Sequence, residues 1–141
     1  MRKCFASWVS VLLVTLPHAA SADYVGPEVF TCASMEVMEC MPAKGCQRVS
    51  AVAADLPRFF KVDMKNREIT AVRVDDARKS SIERLEEVEG KLMLQGAEEG
   101  REGVRDGLGW TMSVDRERGD MVLTASGEDV AFVVFGACTT M

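Results

Sequence analysis

Four cysteines, Cys32, Cys40, Cys46 and Cys138, constrain the fold of this chain more than any other feature, because the residues ahead of them read as a secretion leader. Met1-Arg2-Lys3 is a short basic start. Phe5 to Leu16 is a mostly apolar run, too short to span a bilayer, and Pro17 and His18 break it. Ala20-Ser21-Ala22 supplies the small-x-small pattern that signal peptidase cuts, so residues 1–22 are expected to be a signal peptide and Asp23 the first mature residue. Cys4 stands ahead of the apolar run, badly placed for lipid attachment, and leaves with the leader. An even cysteine count in a small exported domain reads as two disulfides, with three possible connectivities. The Pro and Gly of Met41-Pro42-Ala43-Lys44-Gly45 favour Cys40–Cys46. Cys32 then pairs with Cys138 and ties the first strand to the last. The chain has no C-x-x-C for redox exchange, and a zinc site built from four cysteines does not suit an oxidising compartment.

Residues 23–141 suffice for a single domain with one modest core. The formal net charge is −5, and the leader removes Arg2 and Lys3 but no acid, so the mature domain is more acidic still. An acidic exported domain is poorly matched to nucleic acid or anionic lipid, and better matched to a basic partner such as a cationic enzyme. No second stretch approaches the roughly 18 consecutive apolar residues of a membrane span, so no anchor is expected in the mature chain. The expected location is periplasmic or secreted.

Beyond the cysteine-rich opening the pattern is one of short alternating runs between turn residues, which predicts an all-β domain. Val29-Phe30-Thr31-Cys32 starts the first strand, and Gln47 to Val52 is a weaker one. Phe59 to Asp63 and Glu68 to Val74 flank the hairpin loop Met64-Lys65-Asn66-Arg67. Lys91 to Leu94 is another strand, and the glycine-rich, charged stretch Glu98 to Gly109 a loop. Trp110 to Val114, Met121 to Ala125 and Val130 to Phe135 form a three-stranded antiparallel meander through turns at Asp115 to Gly119 and Gly127-Glu128. Residues 80–88 are ambiguous. Ser80-Ser81-Ile82-Glu83 resembles a capping box, and Ile82, Leu85 and Val88 are three apart, as in a short helix. The strand alternative, turned back by Glu89-Gly90, is favoured because Gly90 would cut a helix short. Val62 to Ile69 can be laid over Val114 to Met121, an echo better explained by shared turn chemistry than by duplication. The predicted architecture is an antiparallel meander closed as a small β-barrel, or a strongly curled sheet, of about seven to nine strands.

The chain's single histidine, His18, lies in the leader. Its removal excludes Ser-His-Asp and Cys-His constellations and histidine-ligated metals from the mature domain. No serine has a lysine three residues later, and no nucleophile elbow, P-loop or dinucleotide fingerprint occurs. Asp75-Asp76, Glu86-Glu87-Glu89 and Glu98-Glu99 are the acids from which a carboxylate pair or a calcium site would have to come. Each lies in a run that reads as solvated. The expectation is therefore no enzyme, no catalytic residue, no cofactor and no metal. Candidate contact residues are Phe59 and Phe60, of which one ring must face outward, and Trp110, more readily a core plug than a ligand platform. Met35, Met38 and Met41 read as packing under the disulfide loop, with an adaptable contact surface as the alternative.

Glu39-Cys40 and Gly45-Cys46, Leu92-Met93-Leu94-Gln95-Gly96, Gly109-Trp110-Thr111-Met112-Ser113-Val114-Asp115 and Val133-Val134-Phe135-Gly136-Ala137-Cys138-Thr139 carry a resemblance across most of the mature chain. On these residues it resembles a family of small uncharacterised exported bacterial proteins. The resemblance implies export and a disulfide-closed β domain, and no activity. More loosely, the chain is similar to membrane-bound inhibitors of c-type lysozyme, small exported β-barrels whose early and late cysteines pair. The Ser-Gly and Trp-x-Lys-Gly elements of that family's inhibitory motif are not reproduced, since Trp110 is followed by Thr111-Met112, so no inhibitory residue carries over. The functional expectation is a non-enzymatic envelope protein that binds another macromolecule, such as a cationic wall-active enzyme. The alternative is a barrel that holds a small apolar ligand, and a carboxylate-based hydrolase is a distant third. The first two differ at the inward face, since a ligand barrel needs a cavity and an inhibitor can have a filled core.

Overall fold

The computed structural model of the protein describes residues 28–72, 78–100, 103–104 and 106–140. The expected signal peptide and the Asp75-Asp76 pair lie outside the described residues. The described chain forms nine strands and no helix: β1 (Val29–Met41), β2 (Gly45–Val49), β3 (Phe59–Asp63), β4 (Glu68–Ala71), β5 (Lys79–Val88), β6 (Lys91–Glu98), β7 (Leu108–Asp115), β8 (Asp120–Ser126) and β9 (Ala131–Thr139). All pairings are antiparallel. Strands β3 to β9 pair successively, and β1 joins β3 on one side and β9 on the other, so eight strands close into a barrel. Closure removes the exposed edges that make an open sheet prone to self-association. β2 is an added strand, paired only with β1.

β1 explains how one strand serves three neighbours. Its first half, Val29 to Ala33, pairs with β3, and its second half, Val37 to Met41, pairs with β2 along the same edge. A register shift between Ser34 and Glu36 marks a bulge against β9. The extra residue keeps Ser34 and Val37 both on the inner face and turns Met35 out to solvent, where it is 75% exposed. Met35 therefore does not pack under the disulfide loop, and Met38 and Met41 remain partly exposed. Cys40 and Cys46 stand opposite each other in the β1–β2 pairing and are bridged across the turn.

A second bulge, between Ile82 and Arg84, resolves residues 80–88 as strand. It puts Ile82 and Leu85 on one face although they are three apart, which is the spacing that also suits a helix. Glu89 and Gly90, with φ of 49° and 75°, then make the two-residue turn into β6.

The barrel has two unlike ends. Short turns at 64–67, 89–90 and 116–119 gather at one, where the core is filled: Phe30, Val62, Leu92, Leu94, Met112, Val114 and Met121 are almost wholly buried. Cys32 and Cys138 are also buried there, paired in the β1–β9 register and joined by a disulfide at the seam where the barrel closes. The chain leaves β2, β4 and β6 for its longer connections at the opposite end, the mouth.

Candidate functional site

The mouth half of the barrel is hollow. A cavity of about 530 Å³ opens there, walled by Phe60 of β3, Ile69 and Ala71 of β4, Leu108 and Trp110 of β7, Leu123 and Ala125 of β8, and Phe132 and Val134 of β9. Strand alternation brings these side chains inward. Phe60 pairs with Ala71, Trp110 with Ala125, and Ala125 with Phe132, so each set shares the inner face. Residue size explains why this level is empty while the level beneath is full. The inward positions toward the mouth include Ser34, Ala71, Ser80, Gly96 and Ala125, and those toward the turns include Leu92, Leu94, Met112 and Met121.

Trp110 is the anchor of the wall. Its indole lies against Gly96, where a Cβ would collide with the ring and with the Ser81 carbonyl. Its Nε1–H donates to Ser80 Oγ at 2.8 Å, and Ser80 Oγ donates to the Ala97 carbonyl at 3.0 Å. The single polar atom of the ring is thus satisfied within the wall, which leaves its apolar surface to the cavity.

Residues 50–57 form a compact turn beside the opening. Leu56 N–H donates to the Ala51 carbonyl and Ala54 N–H to the Ser50 carbonyl, and Ala51, Ala54 and Leu56 pack against the core. Ser34 holds this segment down twice, through its N–H to the Arg58 carbonyl at 2.8 Å and its Oγ to the Pro57 carbonyl at 2.9 Å. Arg78 ties the same segment to β6. Its Nη2 donates to the Asp55 carbonyl at 2.7 Å and lies 3.4 Å from Asp55 Oδ1, while its Nη1 is 3.4 Å from Glu98 Oε1. Partly exposed pairs of this kind stabilise by about 0.2–1 kcal/mol each, so Arg78 fastens the segment without locking it.

The carboxylates with displaced pKa, Asp63, Glu68 and Asp115, do not line the cavity. Asp63 is held below its ordinary value chiefly by the backbone N–H of Asn66, and next by the Asn66 side chain. Asp115 is lowered chiefly by the backbone N–H of Arg118, and Glu68 by its hydrogen bond from Lys79. A lowered value is that of an acid kept ionised, the opposite of a general acid at neutral pH. Among the described residues no cluster of His, Cys, Asp or Glu is placed to hold a metal ion, and no helix is long and apolar enough to cross a membrane.

The three residues named from the sequence as a contact surface do not share one. Phe59 points outward and is about half exposed, whereas Phe60 and Trp110 line the cavity. Ile69, Ala71, Leu123, Phe132 and Arg78 were not legible as site residues. Periodicity tells which side chains face inward, but only the closed register tells which small ones share a level. No family model matches the chain, and neither a curated protein nor a solved structure is found to be similar to it.

Proposed function

We propose that the protein is an exported β-barrel that holds a small apolar molecule in the mouth half of its interior. The observation that carries this is the cavity. At about 530 Å³ it falls within the roughly 300–1,000 Å³ of small-molecule sites, and it has the apolar walls with few fixed polar groups that such sites have. Its walls come from strands of a disulfide-braced barrel, so the space is preformed and binding need not order a loop first. Two disulfides support export, since such bridges persist in oxidising compartments. Native mass spectrometry of protein recovered from the envelope of its own host tests the proposal. Retained mass that organic extraction removes is the expected result. Protein that is bare, and that takes up no apolar dye or alkyl probe, overturns it.

A separate observation favours a macromolecular partner as the second reading. The outer face of β1, β3, β8 and β9 exposes Met35, Phe59, Val122 and Phe135, with Val122 and Phe135 directly paired. Solvent-facing apolar side chains of this kind mark protein contacts when they adjoin. Pull-down from an envelope fraction tests it, with a Phe59→Ser/Phe135→Ser double variant as the control that must lose the partner.

A further inference from the structure

We infer that the outward apolar face of β3, β1, β9 and β8 is where two copies of this chain meet, as a two-fold dimer. This rests on the second reading, in which that face is an interface, and names the partner. Relief on the face suits self-contact. Ala33 and Ala137 stand opposite each other in the β1–β9 pairing, and both point outward because Cys32 and Cys138 beside them point in. Three large exposed side chains rise around this pair: Phe59, opposite Ala33 on β3, Met35, two residues along β1, and Phe135, two residues back along β9. Val122, paired with Phe135, carries the raised part onto β8. A two-fold rotation sets the raised side chains of one copy over the alanine hollow of the other, and the reciprocal contact follows by symmetry. Charge points to the same partner. β9 holds no charged residue, and β8 holds only Asp120, at its start. The bordering acids on β8 and β1, Asp120 and Glu36, are ion-paired with Arg118 and Arg48 at 2.9 and 2.7 Å, and Lys61 bounds the face on β3. The diametrically opposite strand is the charged one, since β5 carries Lys79, Glu83, Arg84, Glu86 and Glu87. A cationic partner calls for free acids on the contact face. Two copies of a chain with net charge −5 instead repel each other unless they touch through neutral side chains. The footprint covers a few strands of a convex wall, at the small end of the range for protein interfaces, so the dimer is a reversible one.

Sedimentation velocity of the oxidised protein recovered from the envelope tests this, run from about 5 to about 500 μM, a span that covers the dissociation constants of weak complexes. The expected result is a reversible monomer–dimer equilibrium with no larger species, because a two-fold contact closes on itself. Added salt tightens the dimer, since screening weakens the repulsion between two acidic copies. Ala137→Arg fills the hollow with a charged side chain and weakens the dimer at least about tenfold, and Phe135→Ser removes a raised ring with the same result. Both positions face outward, so urea midpoints close to that of the parent protein show the barrel intact. Ala97→Arg makes the same change on the outer face of β6 and leaves the equilibrium unaltered. A monomer at every concentration, a dimer that salt disperses, or a loss matched by Ala97→Arg overturns the inference. Where that monomer still captures an envelope protein that Phe59→Ser/Phe135→Ser loses, or binds phosphatidylcholine vesicles, the face belongs to that partner instead. Capture of nothing removes the second reading along with the inference. The apolar-ligand reading concerns the inner face and is untouched by any of these outcomes.

Discussion

Glu89 adopts a φ of 49°, a left-handed conformation that a side chain with a Cβ enters at a cost, and it does so beside Gly90 at 75°. A two-residue hairpin turn needs positive φ at both central positions, and Asn-Gly meets that need best. Glu89→Asn is therefore expected to stabilise the fold by about 1 kcal/mol, read as a higher urea midpoint with an unchanged slope. At the same end of the barrel, Asp63 and Asp115 occupy equivalent places in the two hairpins whose sequences echo one another. Asp63 Oδ1 accepts from Asn66 N–H at 2.9 Å, and Asp115 Oδ1 accepts from Glu117 and Arg118 N–H at 3.1 and 3.0 Å. These bonds hold both acids below their ordinary value of 3.8. The unfolded chain then binds protons before the folded one, so the stabilisation is present above that ordinary value and is lost as pH falls through the lowered ones. Asp115→Ala is expected to lower the urea midpoint at pH 6 and to shrink the further drop between pH 6 and pH 3. An undiminished drop would show that the acid sensitivity comes from other groups.

At the scale of elements, the two disulfides brace different things. Cys32–Cys138 joins residues 106 apart at the β1–β9 seam, whereas Cys40–Cys46 joins residues 6 apart within one hairpin. Chain entropy assigns about 4–5 kcal/mol to the long closure and about 2 kcal/mol to the short one. Cys32→Ala/Cys138→Ala is accordingly expected to lower thermal stability more than Cys40→Ala/Cys46→Ala, and calorimetry of the two double variants measures the difference. That connectivity was readable from the sequence because Pro42 and Gly45 mark a turn between the nearer pair. The last three strands were readable too, since Trp110 to Val114 alternates strictly and Met121 to Ala125 and Val130 to Phe135 are short apolar runs set off by clear turns. β1 and β5 were harder for one shared reason: each contains a bulge, and a bulge breaks the alternation that signals a strand. The length of β1 was hidden as well, because Val37 to Met41 exchanges β3 for the added strand β2 along one edge while its other edge stays paired with β9. The cavity was the least legible feature. Ala71, Ser80, Gly96 and Ala125 are scattered over four strands, and nothing local in the sequence says that they meet at one level.

For the molecule as a whole, the division between a filled end and a hollow end decides between function and accident. A barrel selected only for stability gains by filling the mouth half with the Leu and Met side chains already used below it. Ala71 and Ala125 are the simplest places to do so, being buried, inward-facing and on the cavity wall. Ala71→Leu and Ala125→Leu are each expected to raise stability by about 0.5–2 kcal/mol, as cavity-filling substitutions commonly do, while abolishing uptake of an alkyl probe. Ala125 pairs with Trp110, so its variant should also shift the Trp110 emission in the absence of any ligand, whereas the Ala71 variant, opposite Phe60, should not. Urea denaturation and probe titration on the same preparations provide both readouts. Variants that gain stability and lose binding are what a retained cavity entails, because the space then lowers stability for the sake of its occupant. Variants that lose stability would instead mean that this level of the barrel is already as full as its backbone allows, and the binding proposal would fall with that outcome.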